Sequence, residues 1–193
     1  MRYDLENLDG RWLCVQVRFG YEFKSVVGLK ERGYETFLPV FEQKRQWSDR
    51  VKIAQVPLFA GYVFVRFNAS GTYPVVTAPG VIRFLGKGKI PSAIDDSEIE
   101  ALQIMTRAGL TCGPCAFLEV GQEVEVRLGT RGSFRGKIVR FKNRQRVILS
   151  VNLIKKSAFV EVDGYDVVPI TSPAVSGKVV GPPVLERDVR AAS

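Results

Sequence analysis

The sequence predicts an α+β protein, in which an antiparallel sheet packed by helices is followed by a small all-β barrel. The strongest observation is an apolar stretch at residues 57–67, whose alternate positions form two apolar faces: Tyr62, Phe64 and Arg66 on one, Val63, Val65 and Phe67 on the other. This pattern favours either a central strand covered on both sides or an exposed aromatic docking face. A well-capped helix near residue 95 and a series of short strands after residue 119 complete the prediction.

The first half of the chain predicts the order β-α-β-β-β-α, which is typical of an antiparallel sheet packed by helices. A first strand at residues 11–18 precedes a helix at 22–32 that Gly33 ends. A short strand (36–40), a polar hairpin-like segment (41–56), the central strand and a further strand (80–85) follow. In the second helix, which ends near Gly109, Asp95 is the predicted N-cap, Glu98 its capping-box partner, and the apolar stripe is Ile99, Leu102 and Met105.

The second half of the chain predicts a separate domain. We expect an N-terminal domain over residues 1–109, a flexible linker over 110–118, a barrel over 119–170 and a disordered tail over 171–193. The barrel strands are predicted at residues 123–128, 134–141, 145–151, 157–163 and 167–170.

Composition limits the class of protein. The 193 residues are 46% hydrophobic, which is enough for two small cores. No apolar run is long enough to span a membrane, and the acidic start of the chain does not resemble a signal peptide. We therefore expect a cytoplasmic, monomeric protein without membrane contact.

The net charge of +8 is unevenly distributed. Residues 127–156 contain no Asp or Glu, so this part of the barrel should attract polyanions. The predicted RNA-binding residues are Arg135, Lys137, Arg140, Lys142 and Arg144. The alternative is a solvated basic face that only keeps the domain soluble.

Catalysis and cofactor binding are not expected. The chain has no histidine, and no nucleophile lies beside a plausible base, so we predict that it is not an enzyme. Cys112-Gly-Pro-Cys115 matches the tetrapeptide of thioredoxin-like oxidoreductases, but its setting predicts a linker rather than a helix N-terminus. Cys14 is the one other cysteine, so a tetrahedral zinc site cannot be completed from thiolate and imidazole ligands. We expect neither a metal nor another cofactor.

Several short motifs resemble a known family. The first group is RWLCVQV (residues 11–17), FLP (37–39), TAPGV (77–81), FLG (84–86) and PSAID (91–95). In this order they resemble the N-terminal domain of the bacterial NusG family of transcription elongation factors. The second group is VGQEVEV (120–126), GSFRGKI (132–138) and VILSV (147–151), and it resembles a KOW domain.

The resemblance implies a transcription elongation and antitermination factor that binds RNA polymerase. Its N-terminal domain is expected to dock on the helical clamp of the polymerase through an apolar pocket formed by Phe59, Tyr62, Phe64 and Phe84. Residues 73–79 match the segment that reaches the opposite wall of the polymerase cleft. Such a bridge would hold the clamp closed and raise processivity.

The same resemblance implies contacts with the non-template DNA strand. The residues concerned are the cations Arg18, Lys44, Arg45, Arg50 and Lys52. In the KOW domain, the positions that match the partner-binding surface are Phe134, Leu153 and Ile154, and the expected partner is a small-subunit ribosomal protein.

The basic KOW domain favours a specialised member of the family, of the kind represented by RfaH, UpxY and LoaP, acting on selected operons. Arg131 stands where an aromatic residue is usual, which argues against contact with the helicase Rho and for contact with nascent RNA. Two alternatives stay open: a housekeeping NusG-type elongation and termination factor, and a KOW protein that binds RNA and associates with the ribosome.

Overall fold

The computed structural model describes residues 8–46, 51–68, 72–88, 90–117, 121–141, 144–163 and 165–170. Two antiparallel sheets dominate it. The N-terminal sheet has the strand order β2-β5-β1-β6, and its strands are β1 (Trp12–Val17), β2 (Thr36–Phe37), β5 (Tyr62–Arg66) and β6 (Val81–Phe84). Two separate hairpins are formed by β3 (Val40–Gln46) with β4 (Val51–Pro57), and by β7 (Gly86–Lys87) with β8 (Ile90–Pro91).

Strand β5 is a covered central strand, so the first of the two sequence interpretations is confirmed. It pairs with β1 on one side and β2 on the other, and Val63, Phe64 and Val65 are fully buried. Val63 and Val65 pack with Leu29 of helix α1 (Glu22–Lys30). Phe64 packs on the other face against helix α3 (Asp96–Arg107), because successive side chains of a strand point to opposite sides.

The two helices begin and end close to their predicted positions. The Asp95 carboxylate accepts hydrogen bonds from the Ser97 amide (2.9 Å) and hydroxyl (2.7 Å), which confirms Asp95 as the N-cap of α3. Gly33 follows α1 with φ of +80°, a conformation that suits glycine after a helix. A short helical turn, α2 (Tyr73–Val76), which the sequence did not predict, lies between β5 and β6.

The C-terminal sheet has the strand order β14-β10-β11-β12-β13-β9. Five of its strands confirm the predicted ones to within two residues at every end: β10 (Gln122–Arg127), β11 (Ser133–Phe141), β12 (Arg144–Val151), β13 (Lys156–Glu161) and β14 (Asp166–Pro169). The sixth, β9 (Cys112–Cys115), lies in the segment that the sequence predicted to be a flexible linker, so that expectation is wrong for these four residues. They pair with β13 at the edge of the sheet, a position where Pro114 removes no interior hydrogen bond.

The two sheets share one apolar core cluster. Ile99, Leu102 and Met105 of α3 belong to the same cluster as Phe64 of the N-terminal sheet and Phe134 of the C-terminal sheet. Helix α3 therefore lies between the two sheets. No helix in the described ranges is both long and apolar enough to cross a membrane.

Candidate functional site

The predicted polymerase pocket is an aromatic cluster on the α3 side of the N-terminal sheet. The Phe59 and Phe64 rings meet edge to face, with centroids 6.2 Å apart, and Phe37 stacks on Phe64 at 6.1 Å. Phe59 and Phe64 are 2% and 0% exposed, whereas Tyr62 is partly buried at the edge of the cluster. In this arrangement Phe59 and Phe64 support the surface from below, and Tyr62 is the member that an incoming partner could reach.

Phe84 does not join this cluster, which corrects the predicted set of four. It is the register partner of Val15, and directly paired residues point to the same side of a sheet. Val15 belongs to the core on the α1 side, and Phe84 packs against that core too. Leu85, the next residue, packs against the α3-side cluster instead.

The C-terminal sheet covers the α3 side of the N-terminal sheet through polar contacts as well as the shared core. The Glu98 carboxylate accepts hydrogen bonds from the Asn152 side chain (2.6 Å) and the Asn152 amide (3.3 Å). Burial raises the pKa of Glu98, and the bonds from Asn152 oppose part of that rise. Glu98 thus bonds across to the C-terminal sheet, instead of serving as the capping-box partner that the sequence predicted.

Two cations from the C-terminal part of the chain, one in the turn between β10 and β11 and one on β13, contact the N-terminal part. The Arg131 guanidinium donates to the Ala108 carbonyl at the C-terminal end of α3 (3.1 Å), where a helix dipole favours positive charge. Arg131 also lies over the Tyr165 ring. The Lys156 ammonium lies 5.9 Å from the centroid of the Tyr62 ring. Tyr62, the least buried of Phe59, Tyr62 and Phe64, thus lies beneath a residue of the C-terminal sheet.

The three predicted partner-binding residues of the C-terminal domain belong to the same core cluster. Phe134 and Ile154 are buried, and Leu153 is partly buried. Phe134 also lines a cleft of about 610 Å³ between α3 and strands β11 and β12, opposite Ala101 and Ile104. The predicted partner surface of one domain and the predicted polymerase surface of the other therefore converge on the same region.

The predicted nucleic-acid cations lie in separate places. Arg18 is exposed after β1, and Lys52 is exposed on β4. Lys44 and Arg45 belong to β3, Arg140 to β11 and Arg144 to β12, whereas Arg50 and Lys142 lie outside the described residues. On β11, Arg135 is exposed and Lys137 is partly buried. The structure brings Arg135 and Lys137 onto one strand of the C-terminal sheet.

The cysteines carry no signs of a reactive site. Burial raises the pKa of Cys14 and of Cys112, and it raises the pKa of Cys115 to about 11 despite the nearby Arg146 charge. All three thiols therefore favour the protonated, poorly nucleophilic form. No group of three or more potential metal-binding side chains is found in the described parts of the chain.

The sequence interpretation missed a set of exposed apolar residues at the start of α1. Phe19 is 85% exposed, Val27 56% and Phe23 47%. A signal was available, since three aromatic residues occupy alternate positions in residues 19–23. The same residues also suit an ordinary amphipathic helix, so the pattern alone does not show that they are exposed.

Comparison with known proteins agrees with the motifs. The family model described as "Transcription termination factor nusG" matches residues 10–103. Among curated proteins, the transcription termination/antitermination protein NusG of Rickettsia bellii is 29% identical over 134 residues, which cover 66% of this chain and 68% of that protein. The protein of the same name from Helicobacter pylori is 21% identical over 166 residues, which cover 78% of this chain and 93% of that protein.

Two solved structures are also similar, each with a TM-score below 0.5. One describes domain interaction in Thermotoga maritima NusG, with a TM-score of 0.47, 21% identity, and coverage of 78% of this chain and 92% of that chain. The other is a complex named MjSpt4:Spt5, with a TM-score of 0.28, 19% identity, and coverage of 82% of this chain and 98% of that chain.

The assignment rests on the family match and the curated relatives. The matched residues, 10–103, include the whole N-terminal sheet, helix α1 and most of α3, and the curated relatives extend the similarity beyond it. Residues 10–103 belong to the NusG family of transcription factors, and the chain as a whole is similar to NusG proteins.

Proposed function

We propose that this protein is a transcription elongation and antitermination factor that docks on the clamp of RNA polymerase and raises processivity on selected operons. The observation that carries the proposal is the aromatic cluster around the partly buried Tyr62, because an aromatic residue at the edge of a cluster of buried rings is a typical anchor of a protein interface. Phe59 and Phe64 support this anchor, and Phe84 is not part of it.

Docking at Tyr62 requires the C-terminal sheet to move. Lys156 lies over the Tyr62 ring, and Glu98, Asn152 and Arg131 join the two domains nearby. These polar contacts are few and lie largely at exposed positions, where each hydrogen bond contributes about 1 kcal/mol. A partner that binds the C-terminal sheet would favour its release, since Phe134 and Ile154 are buried in the same region.

The C-terminal domain, which we take to be a KOW barrel, is proposed to bind nascent RNA through its basic residues. Arg135 is the exposed cation that supports this on β11. A small-subunit ribosomal protein is the second partner, through Phe134, Leu153 and Ile154. Rho is disfavoured, because Arg131 is already bonded to the end of α3 and to Tyr165.

The proposal is tested by binding of Tyr62→Ala to purified RNA polymerase core without nucleic acid. Loss of a central aromatic anchor costs about 2 kcal/mol, or about a thirtyfold weaker Kd. Ile90→Ala is the control, because Ile90 is an exposed apolar residue of a separate hairpin. Thermal melting shows whether each variant is folded. Unchanged affinity of a folded Tyr62→Ala protein would place the docking face elsewhere.

A housekeeping NusG-type factor is the second candidate, and the curated relatives' names favour it. The two candidates differ in where the protein acts. Chromatin immunoprecipitation measures where along the genome the protein is bound. A specialised factor should be found on a few long operons, and a general factor on nearly all transcribed genes.

A further inference from the structure

Strand β9 consists of the four residues Cys112-Gly-Pro-Cys115, and both of its thiols are free. It pairs with β13 alone, because it is the last strand of the C-terminal sheet. Two cysteines separated by two residues have the spacing at which proteins form short-range, redox-active disulfides. The function proposed above makes no use of them.

The distance between the two cysteines in the strand is too long for a disulfide. A strand advances about 3.3 Å per residue, so the Cα atoms of Cys112 and Cys115 lie about 10 Å apart along it. A disulfide requires a Cα separation of about 4.4–6.8 Å. The strand would have to bend before the two sulfur atoms could join.

The direction of the side chains prevents a disulfide as well. Cys112 and Cys115 are three positions apart, so they point to opposite faces of the sheet. Cys112 is paired with the buried Val160 and packs against the shared core cluster. Cys115 is paired with Ser157, on the other face. Pairing of β9 with β13 and a disulfide within β9 therefore exclude each other.

The contacts that hold β9 on the sheet are local. A Cβ atom on Gly113 would lie 2.8 Å from Phe159 Cε1, so the strand rests closely against that ring. The Thr111 carbonyl accepts a hydrogen bond from the Glu161 amide (2.9 Å), whereas Pro114 is exposed and has no N–H to donate. Strands β10 to β13 pair with one another without β9. Strand β9 can therefore leave the edge while the rest of the sheet stays paired.

Pairing also protects the thiols from reaction. Burial raises the pKa of Cys112, and it raises the pKa of Cys115 to about 11. Thiol–disulfide exchange requires a thiolate, so both cysteines react slowly while β9 is paired. In an unpaired β9 the thiols would return to an ordinary pKa of about 8.5. Such protection argues against a catalytic thiol but suits a switch that reacts only when the strand opens.

We propose that Cys112 and Cys115 are a redox switch, which low-molecular-weight disulfides oxidise to an intrachain disulfide when β9 leaves β13. One cysteine thiolate attacks the reagent and releases one thiolate from it, and the second cysteine thiolate attacks the resulting mixed disulfide and releases the other. The two released thiolates take up the two protons that the cysteines lose.

The disulfide then keeps β9 off the sheet. The N–H and C=O groups along the edge of β13 are exposed and can pair with another strand. Reduction of the disulfide allows β9 to pair again. This inference goes beyond the proposed function and does not depend on polymerase docking.

The test treats the full chain with an excess of glutathione disulfide, without denaturant, and compares it with the reduced chain. Mass spectrometry of a digest should show a Cys112–Cys115 disulfide without bound glutathione. Hydrogen–deuterium exchange should become faster in β9 and β13 and stay unchanged in β10 and β11. Dithiothreitol should restore the slow exchange. The control is Cys112→Ser with Cys115→Ser, whose exchange should be the same with and without the oxidant.

A further variant tests whether strand pairing controls the reaction. Phe159→Ala removes the ring against Gly113 without changing the motif. It should speed oxidation by about twofold to fivefold, the range expected for loss of one cross-strand contact. Ile138→Ala is the matched control, because Ile138 is a partly buried apolar residue of β11, which is not a neighbour of β9. Its oxidation rate should equal that of the unmodified chain.

Three results would overturn the proposal. Cysteines that stay reduced, or that carry only bound glutathione, do not form a switch. A Cys112–Cys115 disulfide with unchanged exchange in β13 would mean that pairing and oxidation coexist. Equal oxidation rates of folded Phe159→Ala and Ile138→Ala would mean that pairing does not control the reaction. If thermal melting shows Phe159→Ala to be unfolded, Phe159→Leu takes its place. Because polymerase is absent from every arm, failure here is distinguishable from failure of docking at Tyr62.

Discussion

Helix α3 buries Ile99, Leu102 and Met105 and exposes its charged residues, whereas helix α1 buries Glu22 and exposes Phe23. Both helices cover the same four-stranded sheet, one on each face. The apolar stripe explains how α3 is held. The position of α1 is explained by polar contacts and a glycine as well as by the buried Leu29, and Phe23 and Val27 are left exposed.

The difference shows two ways of holding a helix on the same sheet. A helix positioned by its apolar stripe needs nothing further to explain its sequence. A helix that exposes phenylalanine in place of a buried serine is less stable than it could be, and such an exception to patterning is expected at functional sites. The outer side of α3 is covered by the C-terminal sheet, whereas Phe19, Phe23 and Val27 remain exposed on α1.

The largest expected change in stability comes from a buried apolar residue of helix α3. Leu102 is fully buried, so Leu102→Ala should lower the free energy of unfolding by about 2–5 kcal/mol. Val27→Ala on α1 should change it by less than about 0.5 kcal/mol, since that side chain is mostly exposed. Urea denaturation of both variants measures the two values. Similar losses would mean that α1 also depends on its apolar residues.

The next effect concerns the polar attachment of α1. Glu22→Ala removes the buried carboxylate that accepts from the partly buried Gly61 amide and should cost about 1–3 kcal/mol of stability. Glu31→Ala, at an exposed position after the same helix, is the control and should be nearly neutral. The prediction is wrong if the two alanine variants unfold at the same urea concentration.

A smaller effect is expected at the start of α3. Asp95→Ala removes the N-cap bonds to Ser97 and should cost about 1 kcal/mol. Asp96→Ala serves as the control, because Asp96 lies in the first turn and does not cap it. In thermal unfolding, Asp95→Ala should have a lower melting temperature than Asp96→Ala. Equal melting temperatures would show that the cap contributes nothing.

The smallest expected effect is the contribution of Glu98 to the pH dependence of folding stability. Because burial raises its pKa, its contribution to stability is fully present below the pKa of the unfolded chain and is lost as pH rises through the folded pKa. Glu98→Gln should therefore become more stable relative to the unmodified protein as pH rises above about 4.3. The contribution of Asp95 to stability changes with pH in the opposite direction. Hydrogen bonds from Ser97 lower the pKa of Asp95, so its contribution is lost as pH falls. A difference between Glu98→Gln and the unmodified protein that does not vary with pH would contradict the assignment.

Elements defined by local chemistry could be predicted from the sequence. The Asp95 cap, the stop at Gly33 and the two apolar faces of β5 depend on residues close together in the chain, and each is confirmed. The five predicted strands of the C-terminal sheet follow from alternation and glycine spacing in the same way.

Features set by distant partners could not be predicted. Phe84 faces α1 because of its register with Val15, and motif order does not give the register. Strand β9 forms because β13 offers a free edge, although glycine and proline favour a turn. Glu98 has a suitable spacing for a capping box, but Asn152, 54 residues away, supplies its bonds.

The pairing of β9 also limits how far the two domains can separate. Only residues 108–111 connect the end of α3 to β9, a span of about 14 Å when fully extended. If β9 left the edge of β13, residues 108–117 at least would belong to the connection, and ten residues can extend to roughly 34 Å. The pairing of β9 with β13 therefore keeps the C-terminal sheet within four residues of the end of α3, and loss of that pairing would remove the restraint.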